Sequence, residues 1–226
     1  HGERQRISGA ASQWENVGGN AVSGKHHWRI PALVFSRQSG ISHAVCRGLS
    51  GVSEEKRWHM LILVTGGAGS GKSLLAERIS MQLKRMPFWY VATMQVWDQE
   101  CRDRIDRHRQ QRAGKGFQTV EAPVHLAEAA AALPPDGTAL LECLSNLVAN
   151  EQFGGDTGAP VQAVLDGVHA LYRNVRHLVI VTNEVFSDGT PDDPAMQAYL
   201  QNLGNINCAL GAEADVVAEC CAGLPV

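Results

Sequence analysis

Met60-Leu-Ile-Leu-Val-Thr-Gly-Gly-Ala-Gly-Ser-Gly-Lys-Ser73 decides how this chain is read. Its first six residues are a nearly unbroken apolar run, the pattern of a strand buried on both faces of a parallel sheet. Gly66-x-x-x-x-Gly71-Lys72-Ser73 comes next, and Ser73 to Leu83 then carries apolar residues at helical spacing. Strand, glycine-rich turn and helix in this order form a phosphate-binding loop, or P-loop. Gly66, Gly67, Ala68, Gly69, Ser70 and Gly71 are small enough for backbone N–H groups to close on a polyphosphate. Lys72 supplies a point charge for the β and γ oxygens. Ser73 places a hydroxyl for Mg²⁺ at the start of a helix whose positive end faces the anion. The chain therefore handles a nucleoside triphosphate.

Strands alternate with helices beyond the loop. Phe88–Ala92, Phe117–Val120, Thr138–Glu142 and Leu178–Thr182 read as strands. Asp98–Arg112, Val124–Leu133, Cys143–Gln152, Val161–Arg176 and Asp192–Gly211 read as helices, and Asp215-Val-Val-Ala218 closes the pattern. This alternation predicts an α/β fold, a mostly parallel sheet with helices on both faces. Residues 1–59 differ: they are rich in Gly, Ser, Arg and His, and lack sustained periodicity. They are expected to be an N-terminal extension, disordered or non-native, ahead of one catalytic domain over residues 60–226.

Charge follows the same division. Residues 1–59 hold 8 basic and 4 acidic residues; residues 60–226 hold 12 basic and 19 acidic. An acidic body lacks the extended basic face that nucleic acid needs, so nucleic acid is not an expected partner. No apolar stretch approaches the roughly 18 residues of a membrane span. The six cysteines show no paired metal-ligand spacing and read as reduced thiols, mostly small core residues, of a cytoplasmic protein.

Two further constellations carry chemistry. Glu142 ends the buried strand Thr138–Glu142, where a carboxylate can reach a cation beside bound phosphates; it can equally cap the helix that follows. In Cys101-Arg-Asp-Arg-Ile-Asp-Arg-His-Arg-Gln-Gln-Arg112, residues Cys101, Ile105, His108 and Arg112 fall on one helical face. An imidazole among Arg107, Arg109 and Arg112 is suited to attack phosphorus while guanidinium groups neutralise the developing charge. The same spacing also fits an ordinary amphipathic helix with solvated ion pairs. Thr182-Asn-Glu-Val185 follows a core strand at its carboxyl end, where ligands bind in open α/β sheets, or it is only a loop cap.

Taken together, the P-loop segment, Tyr90-Val-Ala-Thr93, Arg104-Ile-Asp-Arg-His-Arg-Gln-Gln-Arg112, Thr119-Val-Glu121, Leu140-Leu-Glu-Cys143, Val181-Thr-Asn-Glu-Val185 and Asn205-Ile-Asn207 resemble a known family. It is the bifunctional adenosylcobinamide kinase / adenosylcobinamide-phosphate guanylyltransferase family of cobalamin biosynthesis. The resemblance implies a RecA-like P-loop fold, a homotrimer, and two reactions that use ATP or GTP with Mg²⁺. First, the hydroxyl of adenosylcobinamide is phosphorylated. GMP then passes from GTP to adenosylcobinamide phosphate through a histidine, giving adenosylcobinamide-GDP. His108 stands at the matching position and, with Lys72, is the implied catalytic residue. Gly66 to Ser73, Thr93, Met94, Gln95, Arg109, Gln110, Gln111, Arg112, Glu121 and Glu142 are implied nucleotide contacts, with Ser73 and Glu142 at the metal.

The chain departs from the family pattern in places. Phe186 follows Thr-Asn-Glu-Val where glycine is usual, and Phe117 replaces a common Trp. Ala113 stands where proline often does, one residue is inserted near Gly114-Lys-Gly116, and the sequence stops slightly short of the usual final strand. Two alternatives compete with this reading. One is a P-loop kinase of another small metabolite without guanylyl transfer. The other is a non-catalytic GTP-binding module that signals by switching a loop.

Overall fold

The computed structural model describes residues 59–96, 98–155, 158–187 and 191–225. The extension expected over residues 1–59 lies, apart from His59, outside these. Seven strands form one sheet: β1 (Met60–Thr65), β2 (Phe88–Ala92), β3 (Phe117–Glu121), β4 (Thr138–Glu142), β5 (His177–Val181), β6 (Val216–Cys221) and β7 (Leu224–Pro225). Their order is β3-β2-β4-β5-β1-β6-β7. Every pairing is parallel except that of β6 with β7.

Alternation along β1 builds two cores. Met60, Ile62 and Val64 turn toward α1 (Lys72–Gln82) and pack on Leu75, Ala76 and Ile79. Leu61 and Leu63 turn to the opposite face and join Leu126, Leu144, Leu147, Val168, Leu171, Leu203 and Ile206. Those residues come from α3 (Leu126–Ala132), α4 (Leu144–Phe153), α5 (Pro160–Asn174) and α6 (Pro194–Glu213). A strand buried from both sides must be apolar at every position, which is why β1, β4 and β5 read as continuous runs. Each fully buried Leu or Ile contributes about 1.5–3 kcal/mol, so these two layers, and not helix propensity, hold the sheet.

The remaining helix, α2 (Gln99–Arg112), is built differently. Asp98 caps its start by accepting from the Cys101 N–H at 2.7 Å. Cys101, Ile105 and His108 are half-buried and Arg112 is buried, while Asp103, Asp106, Arg107 and Arg109 are exposed. The face expected from spacing is therefore the one turned inward.

Strands and helices stand within a residue or two of expectation up to β5, which begins at His177 and ends at Val181. The C-terminal end differs. The expected Asp215-Val-Val-Ala segment is a six-residue strand, and a short β7 folds back on it. β6 alternates buried Val216, Ala218 and Cys220 with exposed Val217, Glu219 and Cys221. Small and charged residues on such a strand dilute the apolar signal that marks β1. The cysteines also need correction: of the five described, only Cys143 and Cys220 are buried, while Cys208 and Cys221 are exposed. Cys221 is exposed because it falls on the outward phase of β6.

Candidate active site

All strands from β1 to β6 run parallel, so their carboxyl ends share one edge of the sheet, and the loops leaving them meet there. A cleft of about 800 Å³ opens at this edge between the P-loop, α2 and the ends of β2, β3, β4 and β5. Ala68, Gly69, Gly71, Lys72, Ser73, Met94, His108, Arg109, Gln111, Arg112, Glu121 and Glu142 all line it. Residues of the expected site as far apart as Ala68 and Glu142 thus share one cavity.

Gly71 sits in the left-handed region at φ 88°, immediately before α1, which an L side chain rarely adopts. Lys72 is buried, with its Nζ donating to the Gly67 carbonyl at 3.0 Å. A phosphate oxygen would be a stronger acceptor than that carbonyl for the same ammonium. Ser73 Oγ donates to Glu142 Oε1 at 2.7 Å. Burial holds the Glu142 carboxyl up to about 7, against the opposing pull of the Ser73 hydroxyl and the Lys72 ammonium. Its second oxygen, Oε2, is sealed from solvent and takes no hydrogen bond from the described residues. Glu142 thus stands beside the P-loop hydroxyl, and no side chain caps the start of α4.

Thr93 plays a different part from its neighbours. Its hydroxyl donates to the Cys143 carbonyl at 2.8 Å and accepts from the Cys143 N–H at 2.8 Å. The Thr93 N–H donates to the Glu142 carbonyl at 3.0 Å, and its own carbonyl accepts from Asn150 Nδ2 at 2.8 Å. With no exposed surface and every polar group committed, Thr93 clamps the ends of β2 and β4 together and so positions Glu142. Gly66, Gly67 and Ser70 are not among the residues that line the cleft. Gln95 and Gln110 stand off the cleft wall. Gln110 is exposed because two helical positions carry it about 200° around α2 from His108.

α2 closes the cleft with charge. Arg112 is buried, its guanidinium 3.3 Å from the centroid of the Tyr90 ring, and its Nη1 makes no hydrogen bond to the described residues. Arg109 reaches Glu121 at 3.1 Å near the surface. Just beyond α2, Lys115 forms an ion pair with Glu77, a fully buried carboxylate on α1. Tyr90, Thr119, Asn146 and Asn183 also line the cleft without being among the expected nucleotide contacts. Asn183, whose Nδ2 donates to Ser145 Oγ at 2.6 Å, was within reach of the strand-end rule. Asn146 lies in the first turn of α4, and no pattern in the sequence marks it.

A basic cradle, a hydroxyl–carboxylate pair and an imidazole in one cleft suit transfer of phosphorus-centred groups. The family model described as cobinamide kinase / cobinamide phosphate guanyltransferase matches residues 62–226. The chain belongs to this family. The bifunctional adenosylcobalamin biosynthesis protein CobU of Escherichia coli K12 is 36% identical over 172 residues, covering 70% of this chain and 93% of that protein. CobU of Salmonella typhimurium LT2 is similar to the same extent. CobP of Pseudomonas aeruginosa, another bifunctional adenosylcobalamin biosynthesis protein, is 30% identical over 170 residues, covering 73% of this chain and 94% of that protein. As a member of the cobinamide kinase / cobinamide phosphate guanyltransferase family, the chain is an enzyme with the family's two activities. The non-catalytic GTP module and the kinase of an unrelated metabolite are set aside by this membership.

Proposed function

We propose that the single cleft serves both reactions of adenosylcobalamin biosynthesis, with the P-loop as phosphate cradle and His108 as the acceptor of GMP. The observation that carries this reading is that His108, Lys72 and the Ser73–Glu142 pair line the same cavity. In the kinase step, the aminopropanol hydroxyl oxygen of adenosylcobinamide bonds to the γ-phosphorus of ATP or GTP. The bond to the β-bridging oxygen breaks, the nucleoside diphosphate leaves, and the hydroxyl proton passes to solvent water. Lys72 turns from the Gly67 carbonyl to the β and γ oxygens, and Arg112 adds charge from the opposite wall.

In the second step an imidazole nitrogen of His108 bonds to the α-phosphorus of GTP, and pyrophosphate leaves. A phosphate oxygen of adenosylcobinamide phosphate then displaces the imidazole and takes GMP, giving adenosylcobinamide-GDP. Splitting the transfer in two lets one cleft hold each acceptor in turn. Arg109, Gln111, Arg112 and Glu121 are proposed to hold the guanylyl group on the way.

The residues present fit Mg²⁺. Ser73 and Glu142 offer hard oxygen donors, and Glu142 Oε2 is buried without a hydrogen-bond donor among the described residues. No group of three His, Cys, Asp or Glu suited to a metal occurs among the described residues. Mg²⁺ is commonly held by one or two side chains with phosphate and water completing its shell. When bound, it supplies charge neutralisation at the phosphate oxygens. The enzyme is further proposed to act in the cytoplasm as a homotrimer, without nucleic acid as a partner. No described helix is long and apolar enough to cross a membrane.

Incubation with α-labelled GTP tests the histidine. Label should stay on the protein, labile to acid and stable to alkali as a phosphoramidate is, and should vanish in His108→Ala. Label persisting in that variant removes His108 from the reaction. Lys72→Ala should abolish the kinase step; undiminished turnover refutes the cradle.

A further inference from the structure

Behind the P-loop, on the side away from the cleft, the C-terminal hairpin packs against its backbone. The Gly223 N–H donates to the Ser70 carbonyl at 2.6 Å. The Cys220 thiol donates to the same oxygen at 3.2 Å. There is no room between the two segments: a Cβ on Gly71 would stand 3.0 Å from Gly223 Cα, and one on Gly66 would stand 2.5 Å from the Cys220 carbonyl oxygen. β6 brings the hairpin there by pairing with β1 up to Thr65 and Glu219. β7 then returns the chain, with Cys221 opposite Leu224, and the turn places Gly223 at φ 81°.

A trans peptide group is planar, so a carbonyl and the N–H that follows it point in opposite directions. Ser70 O and Gly71 N–H belong to one such group. Two donors that hold the oxygen on the hairpin side therefore turn the Gly71 N–H toward the cleft that Gly71 lines. A carbonyl oxygen has two lone pairs, and here both are engaged. Without them, the peptide of a glycine at a left-handed position is free to rotate, because glycine tolerates either sense of φ. Burial keeps the Cys220 thiol protonated, and hence a donor, at neutral pH.

We infer that the β6–β7 hairpin, through Cys220 and Gly223, holds the Gly71 amide facing the bound phosphates, making Cys220 a positioning residue of the phosphate cradle. The inference rests on the cradle reading above. Its consequence is that polyphosphate affinity depends on residues about 150 positions away from the loop, on its outer side, which touch no ligand.

Calorimetry with inorganic tripolyphosphate, together with KM for ATP and kcat, tests this in four full or shortened chains: wild type, Cys220→Ala, Cys220→Ser, and a chain ending at Cys221 that lacks the Gly223 donor. Cys220→Ala should weaken tripolyphosphate binding about three- to tenfold, the range for one lost hydrogen bond, and raise KM for ATP more than it lowers kcat. Cys220→Ser keeps a donor and should recover most of the loss, which a merely volume-dependent role does not explain. The shortened chain should lose at least about tenfold. Equal tripolyphosphate affinity in all four, with melts showing folded protein, overturns the inference and leaves the cradle standing. Wild type failing to bind tripolyphosphate overturns the cradle and this inference together. If the shortened chain does not fold, the two Cys220 variants decide alone, and equal affinity between them counts against the hairpin.

Discussion

The Arg112 guanidinium lies over Tyr90, 3.3 Å from the ring centroid, and its Nη1 makes no hydrogen bond to the described residues. A buried cation resting on an aromatic face is partly stabilised by the ring quadrupole, by about 2 kcal/mol or somewhat more. That falls short of the cost of taking the charge from water. Arg112 shares the cleft with Glu142, whose carboxyl its charge helps to hold down, and an anion brought into the cleft is expected to stabilise it further.

The resulting prediction separates binding from folding. Arg112→Met should leave the melting temperature of the ligand-free enzyme unchanged or raised, since the desolvation cost of a buried charge is removed. The same change should weaken GTP binding tenfold or more. Thermal melts with and without GTP read both. A variant that melts lower and binds as before sinks this account of Arg112.

The Ser73–Glu142 hydrogen bond gives a second test. Ser73→Ala and Glu142→Gln should each raise the Mg²⁺ concentration for half-maximal kinase rate by about tenfold, from loss of one hard donor. The double variant should lose less than the product of the two, because one site is being damaged twice. Magnesium titrations of initial rate decide it, and an unaltered Mg²⁺ dependence would remove the pair from the metal.

Glu77 and Lys115 form an ion pair between α1 and the turn after α2, with Glu77 1% exposed and Lys115 24%. Lys115→Met strands the carboxylate in the core and should cost about 3 kcal/mol. Glu77→Gln should cost less, about 1 kcal/mol, because Lys115 can turn to water. Combining the two should restore part of the Lys115→Met loss. Urea denaturation of the four proteins measures the coupling, and strict additivity would show that the pair does not act as a unit.

Acid should weaken the fold through His177. Burial takes this imidazole down to about 4, and the positive fields of His59, Arg176 and Arg85 push the same way. Its folded value lies below the ordinary 6.5, so the native state keeps it neutral while the unfolded chain takes up a proton. Stability is therefore whole above about pH 6.5, falls as pH drops toward 4, and levels off below. The loss should be on the order of 1–2 kcal/mol and should be smaller in His177→Leu. Urea midpoints at pH 7 and 4.5 compare the two; equal acid loss in both proteins acquits His177.

Much of the site was legible because its signals are local. The strand–loop–helix order around Lys72 follows from nearest neighbours: a doubly buried strand must be apolar, and a phosphate loop must be small. α2 was legible as a face, since spacing alone puts Cys101, Ile105, His108 and Arg112 on one side. Spacing did not choose between a nucleophile and an incidental histidine; the family pattern was needed for that. Thr93 shows the limit. The family resemblance implies it as a nucleotide contact, but its hydroxyl is spent on the Cys143 backbone.

By itself, then, the sequence determined the P-loop, the parallel α/β layering and the inward face of α2, because each depends on residues within a few positions of one another. Only the tertiary structure decided that Glu142 meets Ser73, that Arg112 rests on Tyr90, that Glu77 holds Lys115, and that Cys220 and Gly223 brace Ser70. These pairs are separated by between 22 and about 150 positions and carry no period or spacing. Their partners are chosen by strand order and register, which are set by how the whole chain buries its apolar surface.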